Sequence, residues 1–519
     1  MADQSKLVGQ RTEPPLPSDD TLGRHGARIL SPTKAPRRDQ PPQTTSYVVD
    51  RLILPGNKKA RKKARRAIKK ASRGIRLKKI DCHLFELKDG SGHVVDPGQR
   101  IDAGYQLVPS GQGVVLADAW PVLEAARAGR KTNAAVRGAS LDHLMFGPSV
   151  GGTAPYTSAH STGGTAPYTS AHSTGGLALA SYGQVGSGGR QVVNWVGPDP
   201  RRDPHMSPDR RPRVAFFDTG CGEHPWLKDG VERFTVGNES DKDDPEKYSD
   251  QDSPLLGELD SHSGHGTFLA GIIRQYCPDA DLMSIRVMKS DGVVKEWETL
   301  HALQALAGAM QRWIDGKPGI RVDIVVLSLG YYLETPIDPY YTSLLRTVLQ
   351  QFGRLGVAVV VASGNDATTR EFYPAAFSPR QDEVDGTFKT PVPVIAVGSL
   401  NPDEASIALF NNHGPWIRAW EPGVSLVSTV PKMQGSLQPQ VRLSETLPGE
   451  PFTRSSIDDD NFASGFALWS GTSFSAPLLA AKIAVALIGG EPPVRNAKAA
   501  RKRGWGAVQQ VTGIQLVRR

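Results

Sequence analysis

Cysteine is scarce: three residues in 519, Cys82, Cys221 and Cys277. An odd, widely spaced trio excludes a disulfide framework and reads as free thiols in a reducing compartment. No run reaches the roughly 18 uninterrupted apolar residues of a membrane helix. The longest approach to one, Ala463–Ile488, is broken by Ser470, Thr472, Ser473, Ser475, Pro477 and Lys482. The polar, proline-rich opening through Gln43 lacks the apolar core of a secretory signal. These absences lead us to expect a cytoplasmic chain with no membrane contact. Apolar residues are also few, 39% against a usual figure of about 45–50%. Glycine and proline are instead plentiful, 54 and 40 residues. Part of the chain therefore does not pack, while the remainder is long enough for at least one large core.

The formal charge of +8 is unevenly placed. Residues 1–100 carry 23 basic and 10 acidic side chains, which leaves the rest slightly acidic. Residues 1–45 have no hydrophobic periodicity and are expected to be disordered. A strand-like run, Ser46–Leu54, follows and closes at Pro55 and Gly56. Lys58–Lys79 then holds thirteen Lys or Arg among 22 residues and no acid. Within it Ala60, Ala64, Ala67, Ile68 and Ala71 share one helical face. Ile75–Leu87 reads as another strand, and Asp118 caps a helix over Ala119–Ala128. Residues 46–130 are thus expected to form a small α+β domain. Residues 131–205 read as a flexible linker, because a Gly/Ser/Thr/Pro-rich 12-mer occurs at Gly151–Thr162 and again at Gly163–Thr174 and such a unit cannot bury a core. Residues 491–519 form a basic C-terminal segment.

The texture changes in residues 206–490. Val214–Phe217, Ile324–Leu329, Val357–Ala362 and Val394–Val397 are short apolar runs rich in β-branched residues. Helix-like segments separate them at Thr267–Gln275, Trp297–Ile314 and Tyr341–Gly353. Buried strands alternating with helices predict an α/β domain around a mostly parallel sheet, covered on both faces. Reactive groups in such sheets gather beyond the carboxyl ends of the strands. There the sequence places Asp218-Thr219-Gly220, Ser328-Leu329-Gly330 and Ser363-Gly364-Asn365. Two helix starts join them, Gly264-His265-Gly266-Thr267 and Gly471-Thr472-Ser473. A serine hydroxyl is a weak nucleophile that needs an imidazole base, itself oriented by a carboxylate. A helix N-terminus and an amide can hold an oxyanion. Pro477 is expected in the first helical turn, where a missing N–H costs nothing.

Taken together, in the order Asp, His, Asn, Ser, these motifs resemble those of the subtilisin-like serine proteases (subtilases). The likeness covers roughly Arg213–Gly490. It extends to His224-Pro225, Ala270-Gly271, Phe372-Tyr373-Pro374-Ala375, Gly414-Pro415, Pro422-Gly423 and Ser470–Pro477. The resemblance implies a three-layer subtilisin-like fold and a serine endopeptidase working through an acyl-enzyme. It makes Asp218, His265 and Ser473 the triad and Asn365 the oxyanion amide. Ser328, Leu329 and Gly330 would bind an extended protein or peptide substrate as an added strand. Phe372 would floor the pocket for the residue before the cleaved bond and favour small side chains. No metal or cofactor is expected. The nine acids of Glu239–Asp260 are a candidate calcium loop, with an exposed acidic loop as the plainer reading. His262 suggests a metal pair with His265 only if further ligands approach. Cys221 reads as a buried small residue, or else a thiol that would make the enzyme sensitive to thiol reagents. Residues 46–130 share only the layout of a subtilase propeptide. Intramolecular inhibition leads there, ahead of an adaptor role, and nucleic-acid binding by the basic helix comes last. The alternatives for the whole chain are a peptide ligase or cyclase, and a non-enzymatic binding module.

Overall fold

The computed structural model describes residues 14–30, 42–72, 74–97, 103–110, 117–129, 132–147, 182, 189–237, 241–252, 259–335, 344–379, 390–433, 442–447, 450–455, 457 and 461–514. The β-branched runs form the strands of an eight-stranded sheet. Its order is Ile417–Pro422, Val394–Leu400, Ala358–Ala362, Ile324–Leu327, Arg213–Asp218, Asp281–Arg286, Val231–Val236 and Leu87–Lys88. The first seven are parallel and Leu87–Lys88 is antiparallel to its neighbour. Successive side chains alternate between two apolar layers, as the period of a strand requires. Ala215, Phe217, Val325 and Leu327 pack with Leu300, Leu303 and Leu345, on the helices Glu296–Ile314 and Leu344–Arg354. Val214, Phe216, Ile324 and Val326 pack with Ile273, Leu479 and Ile483, on the helices His265–Tyr276 and Thr472–Gly489. Helix, sheet, helix: three layers. The Thr472–Gly489 helix is long and apolar enough to cross a membrane by length and composition alone, but it is mostly buried, as a core helix is.

The N-terminal part builds a second, antiparallel sheet. The order is Val293–Lys295, Ser140–Phe146, Thr45–Ile53, Gly104–Pro109 and Ile75–Lys79, with Ala27–Leu30 also on Thr45–Ile53. The basic helix runs over Lys58–Ala71 and buries Ala64, Ala67 and Ile68. This small-residue stripe packs with Leu52, Leu77 and Leu123, so the cations fan outward. The helix Ala119–Ala128 is capped by Asp118, whose side chain accepts from Trp120 N. The two sheets trade strands. Val293–Lys295 leaves the large domain to edge the N-terminal sheet, and Leu87–Lys88 crosses the other way.

Several boundaries differ from the sequence expectation. Within 1–45, Asp19–His25 is a helix with Ser18 as N-cap and Gly26 in the left-handed region at φ 59°; Ala27–Leu30 is a strand. Their order comes from pairing with distant residues 45–48, which no local periodicity reveals. The N-terminal domain does not end at 130, since every residue of the strand Ser140–Phe146 is buried. At the other end of the expected linker, Gln191–Val192 pairs with Phe466–Trp469. The 12-residue repeats of 151–174 lie outside the described residues. Ile75–Leu87 is not one strand but a strand, a 3₁₀ turn and the start of a second strand. The basic C-terminal segment is a helix, Ala497–Thr512, that sinks Trp505 and Val508 into the core.

Candidate active site

The strand Arg213–Asp218 ends on a fully buried carboxylate. Thr219 N donates to Asp218 Oδ1 at 2.8 Å, and His265 Nδ1 lies 2.7 Å from the same oxygen. His265 opens its helix directly after Gly264, which sits at φ 79°. Gly266 has no substitute here: a Cβ would stand 2.0 Å from Gly220 O. That approach is what seats the helix start on the Asp218 loop. The other ring nitrogen, His265 Nε2, has no hydrogen-bond partner among the described residues. The ring lies 5.2 Å from Phe474 and 5.5 Å from Trp469.

Ser473 is the second residue of its helix and is buried. Pro477 is the sixth residue of that helix, not a member of its first turn. It therefore has no N–H for the carbonyl of Ser473, four residues before it. Ser328 Oγ supplies that bond instead, donating to Ser473 O at 2.9 Å. Asn365 Oδ1 accepts from Thr472 N at 3.0 Å, which fixes the orientation of the amide. Its Nδ2 is buried with no partner among the described residues. A preoriented, unsatisfied donor beside the start of the Ser473 helix is what a developing oxyanion requires.

The remaining expected residues divide. Gly330 N donates to Phe146 O at 3.0 Å and Phe146 N to Gly330 O at 2.8 Å, an isolated antiparallel bridge within the chain. Leu329 is buried in the core. Phe372 pairs with Tyr332 across a short antiparallel ladder and is 2% exposed. Its ring lies between two backbones: a Cβ would stand 2.5 Å from it at Gly330 and 3.2 Å at Gly364.

The edge formed by Val293–Lys295 and Gly330 is paired with the chain's own strand. Ser140–Phe146 lies antiparallel to Val293–Lys295, and Gly147 N continues the ladder to Gly292 O at 2.9 Å. His262 Nε2 lies 2.8 Å from Gly147 O, and its Nδ1 2.8 Å from Ser261 Oγ. A carbonyl only accepts, so Nε2 carries the proton. Burial, reinforced by the neighbouring His265, pushes the ring down to about 3 and keeps it neutral. Among the described residues no His, Cys, Asp or Glu cluster could hold a metal ion. Burial pushes the Cys221 thiol up to about 12, which leaves it protonated and unreactive.

Docking contacts are polar as well as apolar. His143, fully buried, lies 2.9 Å from Glu296 Oε2 and 3.0 Å from Glu334 Oε2. Burial disfavours the charged ring, but the two carboxylates overcome it and raise it to about 9. At the far end, His25 lies 2.8 Å from Asp291.

One group escaped the sequence reading. The acidic stretch 239–260 is not uniformly exposed: Glu246 and Asp260 are buried. Glu246 Oε1 accepts from Thr219 Oγ1 at 2.5 Å and from Gly266 N at 3.2 Å; Oε2 accepts from Thr267 Oγ1 at 2.5 Å. It thus sits directly behind the Asp218–His265 pair. A lone glutamate in an acid-rich loop carries no sequence signal of burial.

A family model of the subtilases matches residues 209–498, more than half of the chain. Subtilisin BL of Lederbergia lenta is 27% identical over 42% of this chain and 66% of its own length. The thermophilic serine proteinase of a Bacillus species (strain AK1) is 25% identical over 42% of this chain and 45% of its own. The human membrane-bound transcription factor site-1 protease is 26% identical over 52% of this chain and 20% of its own. The matches therefore span two thirds or less of these relatives. A solved cold adapted subtilisin-like serine proteinase aligns with 56% of this chain and 81% of its own at 18% identity, with a TM-score of 0.33. The match of the family model over the three-layer domain establishes that this chain belongs to the subtilase family.

Proposed function

We propose that the chain is a serine endopeptidase whose own N-terminal domain holds its substrate cleft. The carrying observation is the 2.7 Å contact of Asp218 with His265 Nδ1, which leaves Nε2 without a partner among the described residues. In this reading His265 Nε2 takes the Ser473 proton as Oγ attacks a peptide carbonyl. Asp218 orients the ring and stabilises the imidazolium. The Asn365 Nδ2 donor and the N-terminus of the Ser473 helix hold the oxyanion. His265 then returns the proton to the leaving amine, and water resolves the acyl-enzyme by the same steps in reverse.

Substrate selection follows from the same contacts. An extended peptide would pair with Gly330 and Val293–Lys295, the edges that Ser140–Gly147 now covers. The Phe372 ring packs against Gly330 and Gly364, and its bulk would favour a small side chain before the cleaved bond. Inhibition belongs to residues up to 147, beyond the 130 expected from the sequence.

The test is a fluorophosphonate probe with mass mapping of the adduct. Met145 is buried among large-domain side chains such as Val294 and Trp297, so Met145→Asp should undock the strand. The undocked chain should label on Ser473, and the same chain carrying Ser473→Ala should not. If the undocked chain stays unlabelled under conditions that label other serine hydrolases, the reading fails.

A further inference from the structure

We propose that Glu246 is a positioning residue for the Asp218–His265 pair, acting through the single hydroxyl proton of Thr219. The inference rests on the serine peptidase reading and deepens it. Thr219 Oγ1 faces two carboxylates at once, Asp218 Oδ1 at 3.1 Å and Glu246 Oε1 at 2.5 Å. It also accepts from Gly266 N at 2.8 Å. A hydroxyl has one proton to give, so it serves one carboxylate or the other.

Which one it serves depends on Glu246. When Glu246 is neutral, its own proton goes to Thr219 Oγ1 and the Thr219 hydroxyl points to Asp218. When Glu246 ionises, its proton leaves to solvent and Thr219 turns to Glu246. Asp218 then keeps only Thr219 N and His265 Nδ1 on Oδ1, with a second negative charge behind it. Both changes strengthen the pull of Asp218 on the Nδ1 proton of His265. The only bond broken is the Glu246 carboxyl O–H, whose proton passes to water.

The surroundings put the switch within the working range. Burial raises Glu246 and the hydrogen bonds from Thr219 and Thr267 only partly offset this, for a value of about 7. Asp218 and Asp244 face it with like charge, while Asp244 is itself paired to Arg286 at 3.0 Å. Arg190 contributes attraction, and the Cys221 thiol is neutral.

The experiment is the rate of fluorophosphonate labelling of Ser473 from pH 5 to 9.5 in the full-length Met145→Asp chain, with and without Glu246→Gln. The parent profile should rise in two steps, the second near pH 7. Glu246→Gln should leave one step, its midpoint lower by about 0.5–1 pH unit and its plateau roughly three- to tenfold lower, as loss of one charge at this range implies. Its melting temperature at pH 8 should not fall, because glutamine removes a buried charge. Thr219→Val provides a second route and should shrink the second step. Profiles of the same shape in parent and Glu246→Gln, scaled or not, would show that Glu246 only packs; an undiminished step in Thr219→Val would exclude the relay. Absence of any labelling in the parent chain would instead sink the peptidase reading, and this inference with it.

Discussion

At the residue scale, the proposed chemistry rests on few atoms whose neighbours are fixed. Asn365 is the clearest case, because its carbonyl is tied to Thr472 N while its amide donor has no described partner. Replacing it separates function from stability. Asn365→Ala should lower kcat on a peptide substrate by about 10²–10³, with KM little changed, as expected for a donor that acts on the transition state. The lost acceptor for Thr472 N should cost only about 1 kcal/mol in thermal or denaturant unfolding. A matching fall in stability and activity would mean that Asn365 is structural. The sequence singles out Asp218, His265, Asn365 and Ser473 as candidates because each stands in a short motif at a strand end or helix start. Glu246 was not, for its burial depends on a loop folding back over Thr219 and Thr267. Pro477 was misplaced by a few residues, because the helix begins at Thr472 and Ser328 repairs the carbonyl left open.

At the element scale, the basic helix is an electrostatic compromise. Its alanine and isoleucine face packs well, but Lys58 and Lys59 occupy its first turn and no acid does. Positive charge there opposes the helix dipole, and like charges four apart add to the cost. Lys59→Glu should therefore stabilise the N-terminal domain by about 0.3–1 kcal/mol at low salt, read by thermal unfolding. The gain should shrink at high salt as the charges are screened. A salt-independent gain, or none, would show that the dipole is not the cause. The helix face was readable because its spacing is local. The short helix Asp19–His25 and the strand Ala27–Leu30 were not, since they gain their order from residues 45–48 and from the cap at Ser18.

At the scale of the molecule, two domains share strands, and the proposal is that the N-terminal one ends in the substrate cleft of the other. The buried His143 clamp gives this docking a pH dependence. Its ring, held at about 9 in the docked state, is above the ordinary value near 6.5. Its contribution is therefore complete below about 6.5 and is lost as pH rises through about 9. Glu334 works in the opposite direction. Burial disfavours its charge, yet His143 and Arg127 hold it down to about 2, so its contribution is complete above about 4.5 and is lost as pH falls from there through about 2. Docking should thus loosen on the alkaline side. His143→Gln should show at neutral pH the labelling that the wild type reaches only near pH 9. The parallel sheet of the large domain was legible from its β-branched runs. The exchange of strands was not, because Ser140–Phe146 finds its partners in Thr45–Ile53 and Val293–Lys295, far away along the chain.

The most direct measurement is the rate at which a small fluorophosphonate labels Ser473 at pH 7 in the full-length wild type and in Met145→Asp. A strand lying in the substrate cleft predicts slow labelling of the wild type and labelling at least about tenfold faster in the variant, since a charge forced into that buried site costs more than the roughly 1.4 kcal/mol that a factor of ten represents. Equal, rapid labelling of both chains would contradict the claim that the N-terminal domain guards the site.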